Sequence, residues 1–394
     1  MTINFRVSQF KPAVLLLGSI SLQALLMTAV APAQTYTTIF MFRNVNTGVH
    51  PTAGLIRDAD GTLYGTTFDG GGVGQEHGFG TIYKLDSAGN ESVLYRFTGY
   101  FDGFRPIGRL VANGRNLVGA TSISDIEDGT GSIYQLNLDD GTETNLAQFI
   151  DDTFPTSGLV RDRTGNMYGT INGGNNTYGS IYEIGASGGF AFIFNFTGRP
   201  GGVDPNGQLA LDSGRNIYGV TPAGGGVSNL GVIFKLTPTR QEIVLHAFAG
   251  MPDGGRPLGG LVGDDAAGNF YGTTSKGGTA NAGTIFKVDA AGSYSVLYSF
   301  TGGADGADPE AELIVDASGN LYGTARLGGA KNLGTVFELR ADGRLSVLHT
   351  FQGGLDGSHP AGGLLRDGDG NLYGTARTGG GSRNGGTVFK ISPQ

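Results

Sequence analysis

Seven loops of this 394-residue sequence repeat one frame, and the residues that vary inside it are those that could do chemistry. In six of the seven, a Pro follows a Phe by nine residues, with Gly at the sixth position: Gly48, Gly103, Gly202, Gly254, Gly306 and Gly357. The residue before each Pro changes from copy to copy: His50, Arg105, Phe154, Asp204, Arg256, Asp308 and His359. Variation in a fixed slot suits a binding face carried on a repeated scaffold, and it equally suits an unconstrained solvent position. Asp precedes the loop Gly four times, as Asp102, Asp253, Asp305 and Asp356. An Asp-Gly pair makes a turn, because Asp bonds the local backbone and Gly accepts positive φ. A ring of such carboxylates could instead hold cations or sugar hydroxyls. His50 and His359 could form a metal pair, but no third ligand accompanies them. Glu310, Glu312 and Arg109 follow the Pro in their copies and are the candidates for acid, base or charge chemistry on an inner strand.

The elements that must position these residues are short strands. A motif of the form Leu-Tyr-Gly-Thr recurs around Tyr64, Val118, Tyr168, Tyr218, Tyr271, Tyr322 and Tyr373, at spacings of 54, 50, 50, 53, 51 and 51 residues. Each copy reads as four strands of four to six residues, rich in Val, Ile, Tyr, Phe and Thr and bounded by Gly, Asp and Asn. Four antiparallel strands repeated about every 51 residues predict an all-β fold, a seven-bladed β-propeller of four-stranded blades. The 73 glycines fit a protein dense in tight turns. Residues 36–42 (YTTIFMF) match a fourth strand, and the last copy stops after a third strand, TVFKI. The N-terminal strand is therefore expected to complete the last blade and close the ring.

Two sequence features tempt other readings. The Gly-rich loops, such as PAGGGVSNLG, lack the following helix that a phosphate loop needs. The turns Asp58-x-Asp60-Gly61 and Asp367-x-Asp369-Gly370 echo calcium loops without the remaining ligands. No cofactor is expected, and calcium is the one cation the pattern could hold. His246 and His349 fill a Tyr slot of the fourth strand and read as packing or edge residues. The second copy departs most, with Val118 for Tyr and with Asp125, Glu127, Asp128 and Asp139 nearby; the first copy carries Gln75, Glu76 and His77 in its longest loop. Any single binding patch would be sought at such departures.

The unit at residues 319–360, GNLYGTARLGGAKNLGTVFELRADGRLSVLHTFQGGLDGSHP, resembles the GloVer-type tandem repeat, and the likeness covers nearly all of the chain after residue 33. The "GNLY" turn also looks loosely like that of NHL-type propellers. The GloVer resemblance implies an exported bacterial protein of the choice-of-anchor kind, with no catalytic residues to carry over. Only Ser-Pro-Gln follows Ile391, so free secretion or a periplasmic location is expected rather than surface anchoring.

Residues 1–33 read as an export signal: Arg6 and Lys11, a short apolar run, then Ala31-Pro32-Ala33. Residues 34–394 then form one domain, with no later stretch apolar enough to span a membrane. With no Cys there is no disulfide or thiolate chemistry. The net charge of −8 supplies no basic surface for nucleic acid. The expectation is a monomeric, exported, non-enzymatic scaffold binding extracellular glycan or protein. The alternative is a propeller enzyme, a lyase or hydrolase on a glycan or lactone, with its site at the channel mouth.

Overall fold

The computed structural model describes residues 34–72, 78–99, 102–122, 131–149, 153–173, 178–264 and 268–393. Residues 1–33, where an export signal is expected, and the variant loop residues Gln75, Glu76, His77, Asp125, Glu127 and Asp128 lie outside them.

Seven antiparallel blade sheets carry the chain, six with their strands in sequence order from the inside outward and the seventh with an outer strand from the N-terminal end; a small ribbon also pairs Gly202–Val203 with Ala223–Gly224. Blade one runs Ile56–Arg57, Leu63–Thr67, Thr81–Leu85 and Glu91–Arg96. Blade seven takes its inner, second and third strands from Leu365–Arg366, Leu372–Thr378 and Thr387–Ser392. Its outer strand is Thr35–Met41, paired antiparallel in the register Tyr36↔Ile391 and Phe40↔Val388. The ring is closed as the sequence predicts. Among the described residues the single helical element is a 3-10 turn at Gly354–Asp356.

The repeated motifs have local causes. In blade one, Asp58 Oδ1 accepts from the amides of Asp60 (3.0 Å) and Thr62 (2.9 Å), and Oδ2 accepts from the Tyr64 hydroxyl (3.0 Å). Asp367 serves Asp369, Asn371 and Tyr373 likewise. The two calcium-like turns thus spend their leading carboxylates on their own backbone and on the motif Tyr. The motif Gly is required by close approach. Gly65 sits opposite Tyr83 on the third strand, and a Cβ on Gly65 would lie 2.5 Å from the Tyr83 hydroxyl. In blade four a Cβ on Gly219 would lie 2.5 Å from Phe234 Cζ. The third-strand ring therefore lies flat across the second strand, where any side chain would collide with it.

Apolar clusters sit between neighbouring blades. Tyr218 and Ile233 of blade four pack with Leu261, Phe270 and Phe286 of blade five. Tyr373 and Val388 of blade seven pack with Leu55, Leu63 and Tyr83 of blade one in the same way. No blade buries both faces alone, so each is stabilised by its neighbours.

A backbone clamp links the blades and fixes the pre-Pro slot. Arg105 N donates to Phe79 O (2.8 Å) of the preceding blade, Arg256 N to Leu230 O (2.8 Å), and His359 N to Leu333 O (2.8 Å). His50 N donates to Gly385 O (2.6 Å) across the closure. The Pro then packs on the Gly that opens the preceding blade's third strand: a Cβ on Gly386 would lie 2.5 Å from Pro51 Cδ. To reach that carbonyl, His50, Arg105, Asp204, Arg256, Asp308 and His359 all take left-handed backbone, with φ between 52° and 58°.

Candidate functional site

Left-handed backbone is costly for a residue with a side chain, and Gly would relieve it. None of these six positions is Gly, and four of the six carry His or Arg. From the clamp, His50, Asp308 and His359 reach the end of the second strand in their own blade, whereas Arg105 and Asp204 reach that of the preceding blade. His50 Nδ1 lies 2.9 Å from Asp69 Oδ2, and Arg105 Nε lies 3.6 Å from Asp69 Oδ1. Asp308 Oδ2 lies 2.5 Å from Arg326 Nη2. His359 Nδ1 lies 3.0 Å from Thr378 Oγ1. Asp204 Oδ1 accepts from Gly173 N (3.3 Å), away from the charged cluster.

Inside this rim lies the channel, a cavity of about 380 Å³ lined by the segments just after each Pro. Glycines form much of its wall, including Gly54, Gly108, Gly207 and Gly363. Glu310, Glu312 and Arg109 all open into it, joined by Phe68 and Arg377 from the ends of second strands. Arg109 Nη2 lies 2.5 Å from Glu312 Oε1 and donates to Leu364 O (3.0 Å). This pair joins blade two to blade six, passing blades one and seven, where Gly54 and Gly363 leave room for it. It bars the channel beneath the mouth.

Above that bar, Arg326 organises the titratable groups. Its Nε lies 3.0 Å from Glu310 Oε2, while Asp308 occupies another nitrogen of the same fork. Burial raises the Glu310 pKa, the Asp308 charge adds to the rise, and Arg326, Arg256 and Lys276 offset part of it. His359 moves the other way: burial lowers its pKa, and the nearby charges of Arg326 and Arg377 lower it further. Burial thus biases one carboxyl to keep its proton and one imidazole to shed it, and the Arg326 charge opposes the first shift and adds to the second. Arg105 and Arg377 stand over the Phe68 ring at 5.2 and 5.9 Å. Among the described residues Arg377 has no acidic partner within ion-pair distance, so its charge is available to a ligand.

Of the candidates, Asp308 and Glu310 meet through Arg326, and His50 and Arg105 meet at Asp69; Asp204 lies apart, Arg109 and Glu312 pair with each other, and the four loop aspartates join none of these groups. Asp102 accepts from Tyr95 Oη (2.9 Å) and Thr98 N (2.7 Å), and Asp305 from Tyr298 Oη (3.0 Å) and Thr301 N (2.8 Å). Asp253 lies 3.0 Å from His246 Nε2, and Asp356 lies 2.9 Å from His349 Nε2. These carboxylates tie the loop to the outer strand. His246 and His349 are packed residues, stacked on Tyr294 and Tyr36 of the next blade at 3.7 and 3.6 Å. Asp139 pairs with Arg115, an exposed contact. Sequence reasoning missed Phe68, Asp69, Arg326 and Arg377. Their signal was available: the first or second residue after the Leu-Tyr-Gly-Thr-x strand is Phe68-Asp69, Arg326 or Arg377, changing while the frame holds.

Among the described residues no three His, Cys, Asp or Glu side chains gather as a metal-binding group. The charged groups at the mouth are the guanidiniums of Arg105, Arg326 and Arg377, the carboxyls of Asp69, Asp308 and Glu310, and the imidazoles of His50 and His359.

The fold is a seven-bladed propeller with charged side chains at the mouth of its channel. The chain belongs to the Gloeobacter/Verrucomicrobia repeat family, whose model matches residues 26–229 and 204–394. No curated protein matches it. Among solved structures it is similar to an oligogalacturonate lyase in complex with manganese (12% identity, 92% of this chain and 97% of that one, TM-score 0.58). It is also similar to the oligogalacturonate lyase of Vibrio parahaemolyticus (9% identity, 91% and 97%, TM-score 0.56). A third is the periplasmic gluconolactonase of Pseudomonas aeruginosa (18% identity, 76% and 84%, TM-score 0.51). At these identities the likeness shows the fold. The expectation of a non-enzymatic scaffold is nonetheless corrected: these structural neighbours are propeller enzymes, and they favour the enzyme alternative.

Proposed function

We propose that the protein is an enzyme acting on an acidic sugar substrate, a glycan or a lactone, by acid–base cleavage at the channel mouth. The observation that carries this reading is Glu310 opening into the channel with Arg326 Nε 3.0 Å from its Oε2; the opposed pKa directions of Glu310 and His359 support it. In elimination, the His359 imidazole takes the proton next to the sugar carboxylate, the carbon–oxygen bond breaks, and Glu310 protonates the leaving oxygen. In hydrolysis the same imidazole takes a proton from water as it attacks, and Glu310 again protonates the leaving group. Arg377 and Arg326 attract the substrate carboxylate, and Phe68 offers a face for the ring. The Arg109–Glu312 bar stops the substrate at the mouth. A substrate met outside the cytoplasm fits the export signal read in residues 1–33.

The test is turnover by the purified residues 34–394 of oligouronides, neutral oligosaccharides and sugar lactones. Product is followed by the ultraviolet absorbance of unsaturated sugars and by acid release. Activity on an acidic substrate that Glu310→Gln and His359→Ala each abolish supports the assignment. Activity that survives both substitutions, or no turnover of any acidic substrate, refutes it.

A further inference from the structure

The second cavity of note lies on the opposite face, where the turns after the inner strands cluster. It holds about 340 Å³ between blades three and four. That is the lower end of the ~300–1,000 Å³ usual for small-molecule sites. Arg161, Arg163 and Arg215 line it, over an apolar wall of Val160, Leu211, Ile217 and Tyr168. Asp162 and Asp212 also border it, but their carboxylates are engaged. Asp162 accepts from Thr164, Asn166 and Tyr168, and Asp212 from Asn216 and Tyr218. Among the described residues none of the three guanidiniums has an acidic partner within ion-pair distance.

The other turns show that Arg163 and Arg215 are additions to the scaffold, while Arg161 keeps the slot of Arg57 and Arg366. Arg163 fills a slot held by Ala59, Ser213, Ala317 and Gly368 in the corresponding copies. Arg215 stands where the other copies have Gly61, Gly165, Gly319 and Gly370, all at positive φ. Arg215 adopts that left-handed conformation too, at φ 64°. A Gly there would be less strained, so the turn gains nothing from the arginine. In blade two the corresponding charge, Arg115, is paired with Asp139.

We infer that this cleft is a second binding site, for a carboxylate carried on a six-membered ring. The guanidinium forks take the carboxylate, and the apolar wall with Tyr168 takes one face of the ring. The site is independent of the acid–base pair at the mouth and does not rest on the function proposed for it.

Binding is measured by calorimetry on residues 34–394 with glucuronate, benzoate, glucose and inorganic phosphate. Glucuronate, benzoate or both are expected to bind, and which of them does so separates a sugar acid from an aromatic acid. The double variant Arg163→Ala/Arg215→Gly installs residues that other turns already use, so it is expected to fold with an undiminished Tm. It should weaken carboxylate binding by about tenfold or more. Arg115→Ala, which removes the exposed arginine already paired with Asp139, should leave that binding unchanged. The inference is overturned if neither acid binds, if glucose or phosphate binds as well, if the double variant binds equally, or if Arg115→Ala causes the same loss.

Discussion

Tyr83, Tyr134 and Tyr182 fill the third-strand slot of blades one to three, where blades four to seven carry Phe234, Phe286, Phe337 and Phe389. All seven rings lie across the motif Gly, and all are fully buried. The three hydroxyls have no hydrogen-bond partner among the described residues. A buried hydroxyl left unpaired costs about 1–3 kcal/mol relative to its hydration in the unfolded chain. Tyr→Phe at one site should therefore stabilise the protein by about 1 kcal/mol. The sites lie in different blades, so the triple variant should gain roughly 3 kcal/mol. For the roughly 340 described residues at ~2.1 cal/mol/K each, the unfolding entropy is about 0.7 kcal/mol/K, which gives a Tm rise of about 4 °C. Differential scanning calorimetry reads this directly, and Phe234→Tyr should show the reverse sign. A triple variant that melts lower than the parent would mean the hydroxyls are paired, and the reasoning would fail.

Three further outcomes follow from the same packing. Deleting residues 36–42 removes the outer strand of blade seven and the fully buried Phe42, whose loss alone is worth about 3–5 kcal/mol. Tm should drop sharply, and an unchanged Tm would sink the closure. Glu143 has its pKa pushed up to about 7 by burial and then by the Asp102 charge. Because its folded pKa exceeds the ordinary 4.5, its ionisation erodes stability as pH rises from about 4.5 through 7. Glu143→Gln should thus raise Tm at pH 8 and change it little at pH 4, and a pH-independent effect would contradict this. Removing one partner of the mostly buried Arg109–Glu312 pair, as in Glu312→Ala, should cost about 3 kcal/mol in denaturant unfolding. Pairing it with Arg109→Met should recover much of that, and additive losses would show that the two do not interact.

The ring was legible because its cause is local and repeated. Each Leu-Tyr-Gly-Thr motif needs its Asp turn and its facing aromatic, so the period survives sequence drift. The closure could be read because residues 36–42 keep the outer-strand pattern although they precede every blade. The slot before each Pro was visible as a varying position, but its conformation was not, since a residue before Pro normally favours extended backbone. The inter-blade bond from His50 N to Gly385 O overrides that preference. The loop aspartates shared the strictness of the frame because they serve the frame, bonding Tyr95, His246, Tyr298 and His349. Arg109 and Glu312 meet from blades two and six across the axis, a distance in sequence that no local pattern encodes.

The central claim is that Glu310 and His359 act as a proton donor and acceptor tuned apart by burial. The pH profile of kcat/KM on an acidic substrate tests it most directly. The account requires a bell in the acidic range. Its rising limb is His359 losing its proton below the ordinary 6.5, and its falling limb is Glu310 losing its own above the ordinary 4.5. Arg326→Gln should move the rising limb up, because a cation that holds His359 neutral is gone. A profile with no ionisation in that range, or one that Arg326→Gln leaves in place, would contradict the assignment.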